Sequence, residues 1–183
     1  MILENEDIML VVPTKEHEKD VWEYRQKFLD SGEKHIHGSS DLQEFNNFIE
    51  WFNFILSEEA LARRGWVLAT QFIAIRKQDN KMVGMIHVRH NIDNDFLREI
   101  GGHIGYSVAP DERRKGYASS MLRLSLDFCR EIKIDDIFIT CYKDNIGSRK
   151  TIENCGFIFE GITEKDGEEY RKYWIRSGAN ENI

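Results

Sequence analysis

Cysteine and proline are scarce in this chain of 183 residues, which holds three of the first and two of the second. Cys129, Cys141 and Cys155 are odd in number and form no CxxC pair, which excludes a disulfide framework and a zinc knuckle; they read as reduced, mostly buried thiols. Long apolar runs are missing too. Nothing approaches the roughly 18 residues of a membrane span, and the opening MILENEDIMLVV lacks the basic start of a signal peptide, so a cytoplasmic location is expected. There is no surplus of positive charge: 25 Lys and Arg stand against 32 Asp and Glu, a formal net charge of -7. That balance excludes a nucleic-acid binder acting through broad phosphate neutralisation and leaves a small anion as the expected anionic partner. Neither GxxxxGK[ST] nor GxGxxG occurs, so Walker A and Rossmann phosphate loops are excluded, and there is no internal repeat or linker.

What is present describes one globular domain over residues 1–183, with 41% hydrophobic and 31% charged residues. Ile8 to Val12 reads as a strand closed by Pro13, and Val21, Tyr24, Phe28 and Leu29 recur at the helical period. After the loop SGEKHIHGSS, Asp41 is the expected N-cap of a second helix running to about Arg64. Trp66 to Arg76 and Lys81 to Arg89 form a predicted hairpin, followed by a polar stretch and the strand HIGYSV at 103–108. A helix opened by Pro110-Asp111 and the basic cluster comes next, then strand 135–142, helix 146–154, and strands 157–160 and 170–175 around KDGEE. The tail SGANENI is expected to fray. The order predicts an α+β fold with a mixed, mostly antiparallel sheet of six to seven strands and about four helices, its parallel pairing lying between 103–108 and 135–142.

The stretch APDERRKGYASS crowds Arg113, Arg114 and Lys115 against Gly116 where a strand gives way to a helix. First-turn N–H groups lack intrahelical partners and the helix dipole adds roughly half a positive charge there, so such an end attracts anions. Gly116 removes the side chain that would hold a phosphate off the backbone. The order Arg-x-x-Gly-x-Ala, met by Arg113, Gly116 and Ala118, resembles the pyrophosphate loop of the GCN5-related N-acetyltransferase (GNAT) family. A second stretch, NIGSRKTIENCGF at 145–157, is similar to that family's Asn-x-x-Ser/Ala helix ending in Gly-Phe, with Gly156 as the C′ residue. The resemblance covers residues 66–175; the first 65 match in the order of their elements, and in the family that region often shapes the acceptor pocket.

The resemblance implies an acetyl-CoA-dependent N-acetyltransferase without metal, in which a small-molecule or peptide amine attacks the thioester directly. It implies cofactor contacts from Val108, Arg113, Arg114, Lys115, Gly116, Tyr117, Ala118, Asn145 and Ser148, with Val108 offering an N–H to the developing oxyanion. A homodimer is implied in the same way. A base must deprotonate the amine, and His103 stands where many relatives carry Glu; Glu99 is the rival base or the group that orients the imidazole. Many relatives place a thiolate-protonating Tyr where this chain has Ile152, which leaves Ser148, Tyr142 or solvent for that task. The missing tyrosine also supports the alternative of a non-catalytic acyl-CoA binding or sensing module. The acidic surplus favours a cationic acceptor such as a polyamine, an aminoglycoside, an amino acid derivative or a protein N-terminus.

Plainer roles stand beside these. His103 is equally a strand histidine bonded to neighbouring backbone, and Asn145 and Ser148 suit helix caps. Cys141 reads as a buried thiol rather than a nucleophile, and His87 with His90 lacks a third metal ligand. Trp51 and Phe54 read as core or interface, His35 and His37 as exposed loop residues.

Overall fold

The computed structural model describes residues 1–177, so the expected fraying of the tail lies, beyond Ser177, outside the described residues. An α+β fold is present, with eight strands and five α-helices among those residues. β1 (Ile2–Glu4) and β2 (Ile8–Val11) lead into α1 (Glu18–Asp30). β1 is the strand the sequence reading left out: three residues give too little pattern to register. α2 (Phe48–Leu56) and α3 (Glu58–Arg63) replace the single long helix expected from Asp41 to Arg64. Ser40 and Asp41 both sit at φ 54°, a left-handed turn, so Asp41 cannot cap a continuous helix. Asn47 and Ser57 cap instead, each accepting from a first-turn N–H, at 3.0 and 3.1 Å.

β3 (Ala69–Arg76), β4 (Lys81–Arg89) and β5 (Ile104–Val108) complete a five-stranded antiparallel sheet in the order β1-β2-β3-β4-β5. The run FIAI in β3 is apolar on both faces because both are covered. Phe72 and Ala74 face the core that holds Met121 and Leu122, while Ile73 and Ile75 face Val21, Phe48 and Trp51. α4 (Tyr117–Glu131) supplies the first of these layers, and α1 with α2 the second. β6 (Ile137–Tyr142), α5 (Ile146–Asn154), β7 (Ile158–Lys165) and β8 (Glu168–Ile175) follow, the three strands pairing antiparallel as β6-β8-β7.

The expected parallel ladder between 103–108 and 135–142 does not form. The two sheets meet where the His103 N–H donates to the Phe138 carbonyl at 2.7 Å and the Phe138 N–H donates to His103 Nδ1 at 3.0 Å. Beyond that point β5 and β6 belong to separate sheets, and a cleft opens between them. Among the described residues no helix is long and apolar enough to cross a membrane.

Candidate active site

The cleft between the sheets has a volume of about 820 Å³ and runs from the basic loop to the start of α5. At one end Pro110–Glu112 make a short helical turn and Gly116 takes φ 86°, so α4 begins at Tyr117 rather than at the basic cluster. The three cations therefore stand in the loop that feeds the helix. An ideal Cβ on Gly116 would meet no atom within 4 Å, which leaves open space at the helix N-terminus for an anionic oxygen. This fits a phosphate group.

The cations are not equivalent. Arg113 donates through Nη2 to both carboxylate oxygens of Glu33 at 2.8 and 2.9 Å and through Nε to the Val108 carbonyl at 3.3 Å. Lys115 lies 2.8 Å from Glu112, which also receives Arg76 at 2.8 Å and Lys81 at 2.6 Å. Arg114, at φ 67°, has no ion pair with a described residue. It is the cation left free for a ligand, whereas Arg113 and Lys115 hold the loop in shape.

Glu112 anchors that loop. Burial acts to raise its pKa, but hydrogen bonds from Lys115, Lys81 and Arg76 win and hold it at about 2. A depressed carboxylate contributes stability above its ordinary value of 4.5 and loses it as pH falls from there toward about 2. Glu112→Gln should lower stability at pH 7 by about 2 kcal/mol, a drop in Tm of roughly 4–8 °C, and the deficit should shrink below pH 4. Thermal melts across pH check this.

At the other end of the cleft, Asn145 Oδ1 caps α5 by accepting from the Ser148 N–H at 3.0 Å. Ser148 Oγ lies 2.8 Å from the hydroxyl of Tyr106, a residue that the sequence reading passed over inside the IGYSV strand. Burial drives the Tyr106 pKa above its usual value, so it stays a neutral hydroxyl. Ile152, where relatives carry Tyr, is fully buried in the core, while Cys141 borders the cleft with a thiol that burial raises to about 11. The β4–β5 ladder fixes the backbone. Arg89 N–H donates to the His103 carbonyl at 2.8 Å and Ala109 N–H to the Val83 carbonyl at 2.9 Å. Antiparallel alternation between these bonds turns the N–H groups of Tyr106 and Val108 away from β4, toward the cleft.

His103 is placed otherwise than expected for a base. It is buried, lines neither cavity, and its Nδ1 lone pair is taken by the Phe138 N–H. Burial lowers its pKa, so the ring is a neutral joint between the sheets. Glu99 is exposed on the helical turn Leu97–Gly101 and also lines neither cavity.

A second cavity of about 650 Å³ lies behind residues 35–43, walled by Arg64 to Val67 after α3 and by His87 and Arg89 of β4. Gly38 presses against β5: an ideal Cβ there would come within 2.2 Å of the Gly105 carbonyl oxygen, and φ is 70°. The backbone can lie that close only without a side chain. Beneath it His87 is buried, with Nδ1 3.4 Å from Ser40 Oγ, while His90 Nε2 pairs with Thr70 Oγ1 at 2.8 Å. Trp51 is buried, donating from Nε1 to the Ser39 carbonyl at 2.7 Å, and so supports this loop from below.

The two cavities share a wall made by His35, His37, Gly38, Arg89, Phe96 and Tyr142. His37 sits edge-on to Tyr142, ring centroids 6.0 Å apart. Desolvation lowers its pKa below 6.5, His35 adds to that, and Glu33 opposes it. His35 and His37 are both exposed, as expected of loop residues, and His37, a neutral imidazole at pH 7, stands where the two cavities adjoin. The sequence held no signal for this, because the partners come from distant segments.

The chain is thus a five-stranded sheet splayed from a second sheet, with the basic loop at one end of the cleft between them. The profile of the acetyltransferase (GNAT) domain matches residues 3–158, and the chain belongs to that family. Over 106 residues it is 30% identical to the uncharacterized N-acetyltransferase YjdG of Bacillus subtilis, a stretch covering 57% of each chain. The chain thus spans somewhat over half the length of this curated relative. Among solved structures it is similar to the ribosomal L7/L12 α-N-protein acetyltransferase RimL bound to coenzyme A, with TM-score 0.71 and 18% identity over 98% of this chain and 100% of that one. The microcin C7 self-immunity acetyltransferase MccE, in complex with acetyl-CoA and AMP, follows at TM-score 0.67 and 19% identity, over 94% and 93%.

Proposed function

We propose that this chain is an acetyl-CoA-dependent N-acetyltransferase that transfers the acetyl group to an amine by direct attack while both substrates are bound. The observation that carries the reading is the wall shared by the two cavities. Because the same six residues line both, an amine held behind residues 35–43 lies next to a thioester held between β5 and β6. When bound, acetyl-CoA supplies an activated acyl carbon.

The chain's own residues do the rest. Gly116, Tyr117 and Ala118 offer backbone N–H groups to the pyrophosphate, and Arg114 adds charge. His37 takes the proton from the incoming ammonium, which must be neutral to attack. The N–H groups of Val108 and Tyr106 receive the negative charge that grows on the acyl oxygen. Ser148, held by its 2.8 Å contact with the neutral Tyr106 hydroxyl, donates its proton to the leaving sulfur and regains one from solvent entering the cleft, so the core position of Ile152 leaves no gap.

The test has two readouts. Acetyl-CoA at millimolar concentration should raise the melting temperature by several degrees, and a panel of amines should include members that release free CoA thiol. A melt that does not respond would sink the cofactor assignment. Stabilisation without thiol release from any amine would leave a non-catalytic acyl-CoA sensor in its place. Ser148→Ala should cut kcat about tenfold or more while the cofactor Kd stays within about twofold.

A further inference from the structure

The wall between the cavities contains a cation without a counter-ion in contact. Arg89, at the end of β4, makes two hydrogen bonds with the described residues, both from Nη1: to the carbonyls of Gly101 at 2.9 Å and Gly102 at 3.0 Å. Nε and Nη2 have no partner among the described residues, and no described carboxylate lies within ion-pair distance of the guanidinium. Burial pulls its pKa down to about 10, with Asp41 acting against that from across the cavity. Arg89 is half-buried and lines both cavities, so a partly desolvated guanidinium with its Nε and Nη2 unpaired gains by binding an anion that enters there. Two other cations contrast with it: Arg76 pairs with Asp79 and Glu112, and Lys81 with Glu112 and Asp111, and both have their pKa raised rather than lowered.

The cofactor does not supply the anion. Along β5, Arg89 stands opposite His103, and the pyrophosphate loop begins beyond Val108; five strand residues separate them by roughly 16 Å. The pantetheine arm between is uncharged. The second cavity also carries more cationic than anionic side chains, with Arg64 and Arg89 against Asp41, so the acidic surplus of the whole chain does not extend into it.

We propose that Arg89 binds a carboxylate of the acceptor, so that the substrate is an amine carrying a carboxylate within a few bonds of the reacting nitrogen. The proximity follows from the place of Arg89 in the shared wall: a group bound there lies beside the point of transfer. A polyamine or an aminoglycoside has no such group. The same chemistry occurs in a free amino acid and in a peptide that begins with an acidic residue.

This rests on the transferase reading, and the experiment separates the two. Free amino acids and peptides beginning with Asp or Glu are assayed for CoA thiol release against their carboxamide counterparts. Acids should exceed amides by about tenfold to a hundredfold in kcat/KM, the range of one charge-assisted bidentate contact. Which arm responds distinguishes amino acid from peptide. In Arg89→Met the ratio should fall toward one; Arg89→Lys, which keeps the charge, should retain part of it if the methionine variant does not fold. In parallel, the N-acetylated acids and their amides are tested for heat stabilisation of the CoA-bound protein, which needs no turnover. Acid and amide acting alike on the wild type, in turnover and in melting, would overturn the carboxylate assignment. Acid-selective stabilisation without thiol release from any member would uphold it while removing the transferase reading.

Discussion

Gly116→Glu is expected to abolish the heat stabilisation given by acetyl-CoA and to weaken cofactor binding by about a hundredfold or more, close to 3 kcal/mol. Two effects combine. The backbone at φ 86° favours glycine, so any side chain adds strain of about 1 kcal/mol. The larger effect is where the side chain goes. An added Cβ would meet no protein atom within 4 Å, so the carboxylate would extend into the open space at the α4 N-terminus and repel the pyrophosphate proposed to bind there. Gly116→Ala separates the two, because it carries the strain without the charge and should weaken binding by roughly threefold to tenfold. Calorimetric titration with acetyl-CoA measures both. Wild-type affinity in the glutamate variant would refute the assignment of the loop.

How much of this could be read beforehand depended on how local each feature is. The basic loop and α5 are continuous in sequence, and glycine at a helix start or at a C′ position has few other uses, so the left-handed Gly116 and Gly156, at φ 86° and 89°, were legible. The roles within the loop were not. Arg113 looked like a ligand-binding cation, but its partner Glu33 follows α1, and Lys115 is held by Glu112, whose other partners Arg76 and Lys81 flank the β3–β4 turn. His103 stood equally open between base and backbone-bonded strand residue for a similar reason: what separates the two is the Phe138 N–H of another sheet. The break in the second helix was visible only as Asn47 and Ser57, cap residues that a long apolar stripe concealed. Tyr106 was hidden within a run that reads as ordinary strand.

The largest effect expected on turnover comes from His37. Replacing it by glutamine keeps a polar side chain of similar size at the shared wall but removes the basic nitrogen. kcat/KM should fall about a hundredfold or more, the range for losing a general base, while the melting temperature and the cofactor Kd change little. The pH profile carries the sharper readout. The base works as the neutral imidazole, and desolvation sets its pKa below 6.5, so protonation removes it only as pH falls through a value under 6.5. Wild-type kcat/KM should therefore drop along that limb in addition to the decline set by the amine's own protonation. In His37→Gln the first limb should vanish and the second remain. The neighbouring imidazole, His87, cannot take over, since its Nε2 is buried without a partner and its pKa lies still further below 6.5. A glutamine variant that keeps both rate and low-pH limb would show that the amine loses its proton to water instead, before it reaches the wall.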